Sequence, residues 1–225
     1  MHREDFTLCD HKLSFFRAEK ADRPLIVFHS FSDEGEAVYQ ELRKQNAPEC
    51  HFLSIAIHDW QREMSPWYAP ALSKDAEAFS GGADVYLESL LSVVLPWATE
   101  RIHGKASWIG IAGYSLAGLF ALYAMYQTDV FSRVASMSGS LWFPGMRNFC
   151  KENTMKILPE KLYLSIGDQE SKTRHPILKT MQKNMEELLG YFRSLGIPCQ
   201  YELNPGNHFQ DVNLRCAKGI SELLQ

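Results

Sequence analysis

Trp108-Ile109-Gly110-Ile111-Ala112-Gly113-Tyr114-Ser115-Leu116-Ala117-Gly118 is the stretch on which the reading of this sequence turns. Its first half is a short apolar run with glycine inside it, the pattern of a strand buried on both faces. Its second half sets a serine among the small residues Gly113, Ala117 and Gly118, and 116–126 continue as an Ala-, Leu-, Phe- and Tyr-rich helical run. Strand, tight turn and helix with a serine at the apex form a nucleophile elbow, in which the flanking backbone needs small neighbours so that the serine can stand clear of the sheet. The usual last glycine of Gly-x-Ser-x-Gly is Ala117 here, which meets the same demand for small size. Taken without its flanks the relaxed pattern would recur by chance in about one chain of this length in six, and a glycine-rich turn with a capping serine would read the same way. The strand before it and the helix after it carry the argument.

Outward from the elbow, further strand-like runs occupy 12–17, 25–30, 51–57, 134–138, 162–166 and 200–203, with the elbow strand itself at 107–113. Helical spacing fills much of the remainder: 84–102 with Pro96 as a kink, 177–195 stopped by Gly196 and Pro198, and a closing helix at 214–224. Strands alternating with helices imply crossover connections, hence an α/β fold with a mostly parallel central sheet and helices on both faces. No repeat or low-complexity linker divides the chain, so 1–225 reads as a single domain. The segment 61–83 breaks the rhythm. It holds Pro66, Trp67, Tyr68, Pro70, Gly81 and Gly82, and its aromatic content marks it as an ordered loop rather than a disordered insertion.

Composition narrows the function. In 225 residues, 45% hydrophobic and 22% charged, the net charge of -4 offers no basic field for a nucleic-acid backbone. Five cysteines, odd in number and never in a Cys-x-x-Cys pair, suit reduced thiols better than a disulfide frame or a zinc site. The acidic start at Glu4 and Asp5 lacks the base of a signal peptide, and no run approaches the roughly 20 apolar residues of a membrane helix. The expectation is a cytoplasmic protein without membrane or nucleic-acid partners.

A serine nucleophile needs a base in hydrogen-bond reach and an acid to orient that base. For an elbow on an α/β sheet the chain order is serine, acid, histidine, and this chain supplies it. Gly167-Asp168-Gln169-Glu170 follows the strand-like run at 162–166, and Pro205-Gly206-Asn207-His208-Phe209 follows the last strand. Both lie beyond carboxyl ends of strands, where sites on open α/β sheets assemble. Of eight histidines, His208 alone joins the right order to a glycine-containing loop after the final strand. The acid is Glu170 or Asp168, the Gly-x-x-acid spacing favouring Glu170; Asp211 is too close to His208 in sequence. Two N–H donors must hold an oxyanion. Leu116 supplies one, and Phe31 or Ser30, in the loop after 25–30, supplies the other. Asp33 and Glu34 in that loop are acids of a first helical turn, where they are stabilising, although they would also suit a cationic substrate.

His29-Ser30-Phe31, Ile57-His58-Asp59-Trp60, Ser65-Pro66-Trp67, the elbow, Ser138-Gly139-Ser140-Leu141-Trp142 and Gly206-Asn207-His208-Phe209 together resemble the α/β-hydrolase superfamily. More narrowly, they resemble the esterases related to bacterial siderophore (enterochelin) esterases, over nearly the whole chain. The resemblance implies an α/β-hydrolase fold without a large cap domain, a triad of Ser115, His208 and Glu170 or Asp168, no cofactor, and a small-molecule ester as partner. Trp60, Trp67 and Trp142 fall on loops bordering the serine edge and are candidates for an aromatic substrate wall. His58-Asp59, without further spaced ligands, makes no metal site. The expected activity is serine esterase chemistry through an acyl-enzyme at a shallow, open site. The alternatives are an acyltransferase of the same chemistry and a non-catalytic binding protein on a hydrolase scaffold. The sequence leaves the natural substrate and the oligomeric state open.

Overall fold

The computed structural model describes residues 2–225. The chain opens with an antiparallel hairpin, β1 (His2–Leu8) and β2 (His11–Arg17), whose two-residue turn places Cys9 and Asp10 at φ of 50° and 63°. Positive φ at both central residues is the primed turn whose twist matches the strands it joins. β3 (Leu25–Ser30), α1 (Gly35–Lys44) and β4 (His51–Ala56) then form the first parallel crossover unit. The segment after it, read as a loop, contains a one-turn helix, α2 (Trp60–Glu63), and a two-stranded ribbon of β5 (Tyr68–Ala69) and β6 (Phe79–Ser80). Met64, Ala69 and Phe79 are buried, which anchors the segment to the core. Gly81 closes the ribbon at φ 78°, where a β-carbon would lie 2.6 Å from Trp67 Cα.

The helical run expected at 84–102 comes in three pieces: α3 (Ala83–Ser89), a π turn (Leu90–Val94) and α4 (Leu95–Thr99). Pro96 lacks an N–H and its ring crowds the carbonyl four residues back. A widened π turn just before it accommodates both. The elbow strand β7 (Ile109–Tyr114) leads into α5 (Leu116–Gln127), and β8 (Arg133–Met137), α6 (Met146–Glu152), β9 (Lys161–Gly167), α7 (Met181–Ser194), β10 (Cys199–Asn204) and α8 (Val212–Leu224) complete the chain.

Eight strands form one sheet in the order β1-β2-β4-β3-β7-β8-β9-β10, with the β1–β2 and β2–β4 pairings antiparallel and the five from β4 to β10 parallel. The sheet separates two cores, and the period-2 alternation of the strands decides which residues enter each. Leu25, Val27, Leu53 and Ile55 face the layer of α3, α5 and α7, while Ile26, Phe28 and Phe52 face α1 and α8. α5 is buried from Leu116 to Tyr126, as expected of a helix that is apolar all round. Among the described residues no helix is long and apolar enough to cross a membrane.

Candidate active site

β7 ends at Tyr114 and α5 starts at Leu116, leaving Ser115 as the single residue of the turn, at φ 57° and ψ -120°. This conformation is costly for any side chain bearing a β-carbon, and it persists only where the surroundings over-determine it. Here Ser115 N donates to Met137 O at 3.0 Å, and Ser115 O accepts from Leu119 N at 3.1 Å and Ser140 N at 3.0 Å. Gly113 is what permits the turn: a β-carbon there would lie 2.4 Å from the Ala117 backbone and 2.7 Å from its Cβ. Ala117 itself is fully buried in that tight corner.

The loops after β9 and β10 bring the two other partners to the serine. Ser115 Oγ donates to His208 Nε2 at 3.0 Å, and His208 Nδ1 donates to Glu170 Oε2 at 2.7 Å. A carboxylate on Nδ1 selects the tautomer whose Nε2 lone pair faces the hydroxyl. Glu170's side chain is 1% exposed, and its second oxygen accepts from Ser138 Oγ at 2.7 Å, Gly167 N at 2.7 Å and Arg215 Nη1 at 3.2 Å. Burial pushes this carboxyl up, but the hydrogen bond and charge of His208, with Ser138 and Gly167, outweigh it and hold the group below the usual carboxylate range. Asp168, the other candidate acid, points elsewhere. Its Oδ1 accepts from Gly206 N at 2.8 Å, which lowers its pKa and latches the loop after β9 to the loop bearing His208.

Two members of this network went unforeseen. Arg215, 1% exposed on α8, donates to Glu170, to Tyr114 OH at 3.1 Å and to Pro205 O at 2.7 Å. Tyr114 OH in turn donates to His208 O at 2.8 Å. One guanidinium thus ties together the residue before Ser115, the Glu170 carboxylate and the loop that carries His208. The available signal was a lone cation on the otherwise apolar face of Cys216, Ala217, Ile220 and Leu223. The second, Ser138, sits at φ 46° just past β8; it stood in one of the motifs that carry the resemblance, but nothing in the sequence pointed its hydroxyl at Glu170.

A cavity of about 330 Å³ opens beside Ser115 and His208, with Ser30, Phe31 and Trp60 in its wall. β3 and β7 are parallel neighbours with His29 opposite Gly113, so the residues just after β3 stand beside the elbow. Phe31 follows the strand directly, and Leu116 offers its N–H as the first residue of α5, where helix donors lack intrahelical partners. The Ser30 hydroxyl is engaged with Ser32 O at 2.6 Å and braces the loop. Of the three tryptophans, only Trp60 lines this cavity, edge-on to Phe31 at 5.3 Å. Trp67 and Trp142, also expected at the substrate wall, stand elsewhere: Trp67 donates to Pro144 O at 2.8 Å and packs on Phe143 and Phe149, and Trp142 borders a separate cleft with Arg147 and Asn148. Asp59 caps α2 by accepting from Arg62 N.

The model of the family described as "Putative esterase" matches residues 28–208, from β3 through the histidine. The chain belongs to this esterase family. A member-like sequence from Bacillus subtilis (strain 168), the uncharacterized protein YbbA, is 24% identical over 161 residues, a match covering 70% of this chain and 64% of that protein. Among solved structures, the fold is similar to that of the siderophore hydrolase EstB from Aspergillus nidulans, with a TM-score of 0.77, 19% identity, and 99% and 94% of the two chains covered. It is also similar to that of an IroE-like serine hydrolase from Shewanella oneidensis, with a TM-score of 0.80, 15% identity, and 99% and 80% covered. These likenesses establish the α/β-hydrolase fold expected for the esterase family.

Proposed function

We propose that the protein is a serine esterase that cleaves a carboxylic ester through an acyl-enzyme. The observation that carries this reading is the unbroken hydrogen-bond relay from Glu170 through His208 to Ser115, at a residue held in a strained turn. His208 Nε2 takes the Ser115 proton as Oγ attacks the ester carbonyl. The tetrahedral oxyanion is held by the N–H groups of Leu116 and Phe31, and Glu170 stabilises the imidazolium. His208 then returns the proton to the leaving alcohol, water enters, and the sequence repeats in reverse to release the acid. Partial exposure of Ser115 and of His208, whose side chain is 27% exposed, supports water rather than a second alcohol as acceptor, since transfer enzymes must keep water from the intermediate. The intact relay likewise weighs against a purely binding role.

Ser115→Ala tests the reading. The variant is expected to keep the thermal midpoint of the parent, lose turnover of 4-nitrophenyl acetate, and lose labelling by a fluorophosphonate probe. A parent protein that neither turns over aryl esters nor takes the label would refute it.

A further inference from the structure

The cavity beside Ser115 has a charge signature of its own. Phe28, Phe31, Trp60, Phe209 and Val212 supply apolar wall, and among the described residues Glu34 is the one acidic residue there. Among the described residues no lysine or arginine lines it. Arg215, next in sequence to the lining residue Cys216, turns its guanidinium to Glu170, Tyr114 and Pro205 instead. Glu34 is fixed by neutral donors, Ser32 N at 2.8 Å and Ser32 Oγ at 3.0 Å, and so its charge is oriented without being neutralised. Groups in the wall that would become anions resist doing so. Burial pushes the Tyr114 hydroxyl up to about 12. The Cys216 thiol is pushed up first by burial and then by the charge of Glu34, with the Arg215 charge opposing more weakly.

Resting on the serine-esterase reading, we infer that this cavity receives an uncharged, apolar substituent of the ester and rejects an anionic one, with Glu34 as the rejecting group. A carboxylate entering it would exchange water for aromatic rings with no cation to meet it, next to a fixed negative charge.

The test compares matched neutral and anionic esters on the intact protein: 4-nitrophenyl methyl adipate against 4-nitrophenyl hydrogen adipate, and methyl 4-acetoxybenzoate against 4-acetoxybenzoate. The neutral member is expected to have about tenfold or greater kcat/KM in at least one pair. E34Q should shrink that ratio, and so should F209K, which places a cation on a side chain already 86% exposed. Indifference to charge in both pairs, or a ratio that neither variant moves, overturns the inference while fluorophosphonate labelling of Ser115 preserves the esterase reading. Absence of both label and turnover overturns the two together.

Discussion

Glu170 and Asp168 stand two apart in the chain, and their surroundings give them different tasks: Glu170 faces His208, and Asp168 holds Gly206 N. Glu170→Gln is expected to lower kcat by about 10²–10⁴, because an amide fails to stabilise the imidazolium and permits the wrong histidine tautomer. Asp168→Asn, which removes charge from a loop latch, should cost much less; initial rates on 4-nitrophenyl acetate separate the two, and equal losses would reverse the assignment. Arg215→Met should lower stability by about 3–5 kcal/mol in urea titration, since it strands the buried Glu170 charge and Pro205 O. Serine, histidine and the acid pair were legible in the sequence because chain order and strand ends constrain them together. Arg215 was not, because a single long cation among helical residues reads as surface until its burial is known. For Trp67 and Trp142, sequence position does not say which cavity a loop aromatic borders.

At the scale of elements, the strands of the main sheet from β2 onward were legible from their apolar runs, whereas the two-residue strands β5 and β6 are too short to show a period. β1 was not: its residues Arg3, Glu4 and Asp5 alternate too weakly for an edge strand to stand out. α6 escaped because its seven residues are too short to establish a helical period. The 84–102 run was right in extent and wrong in continuity, since a π turn leaves no mark on hydrophobic spacing beyond the nearby proline. The ribbon of β5 and β6 hangs on Gly81, and Gly81→Ala combines a positive φ with a contact to backbone that cannot yield. A loss of more than about 1 kcal/mol is expected, read as a lowered urea midpoint; an unchanged midpoint would mean that the ribbon does not need this corner.

At the scale of the molecule, acid sensitivity follows from two histidines sealed on one face of the sheet, His29 against Tyr86 and Phe120 and His51 against Phe15. His29 and His51 are both 0% exposed, and burial lowers their pKa values from 6.5 to about 3 and about 4. His51 Nδ1 also accepts from Ala18 N at 3.1 Å, a bond that protonation there would break. The unfolded chain takes up these protons below pH ~6.5 while the folded chain does not, so their contribution is fully present above that pH and is lost as pH falls toward 4 and 3. Thermal midpoints should therefore drop steadily between pH 6.5 and 4; a flat profile to pH 4 would contradict the burial of these rings. Sequence position already implied that the site spans the sheet, and the structure gives the distances in chain: 93 residues separate Ser115 from His208, and 38 separate Glu170 from His208. None of these contacts can be made by a local fragment, and each requires loops to be closed across parallel strands, a slow step in folding. Hydrolysis is thus a reporter of complete folding: on dilution from denaturant, helical signal should return early and esterase activity only with the last phase.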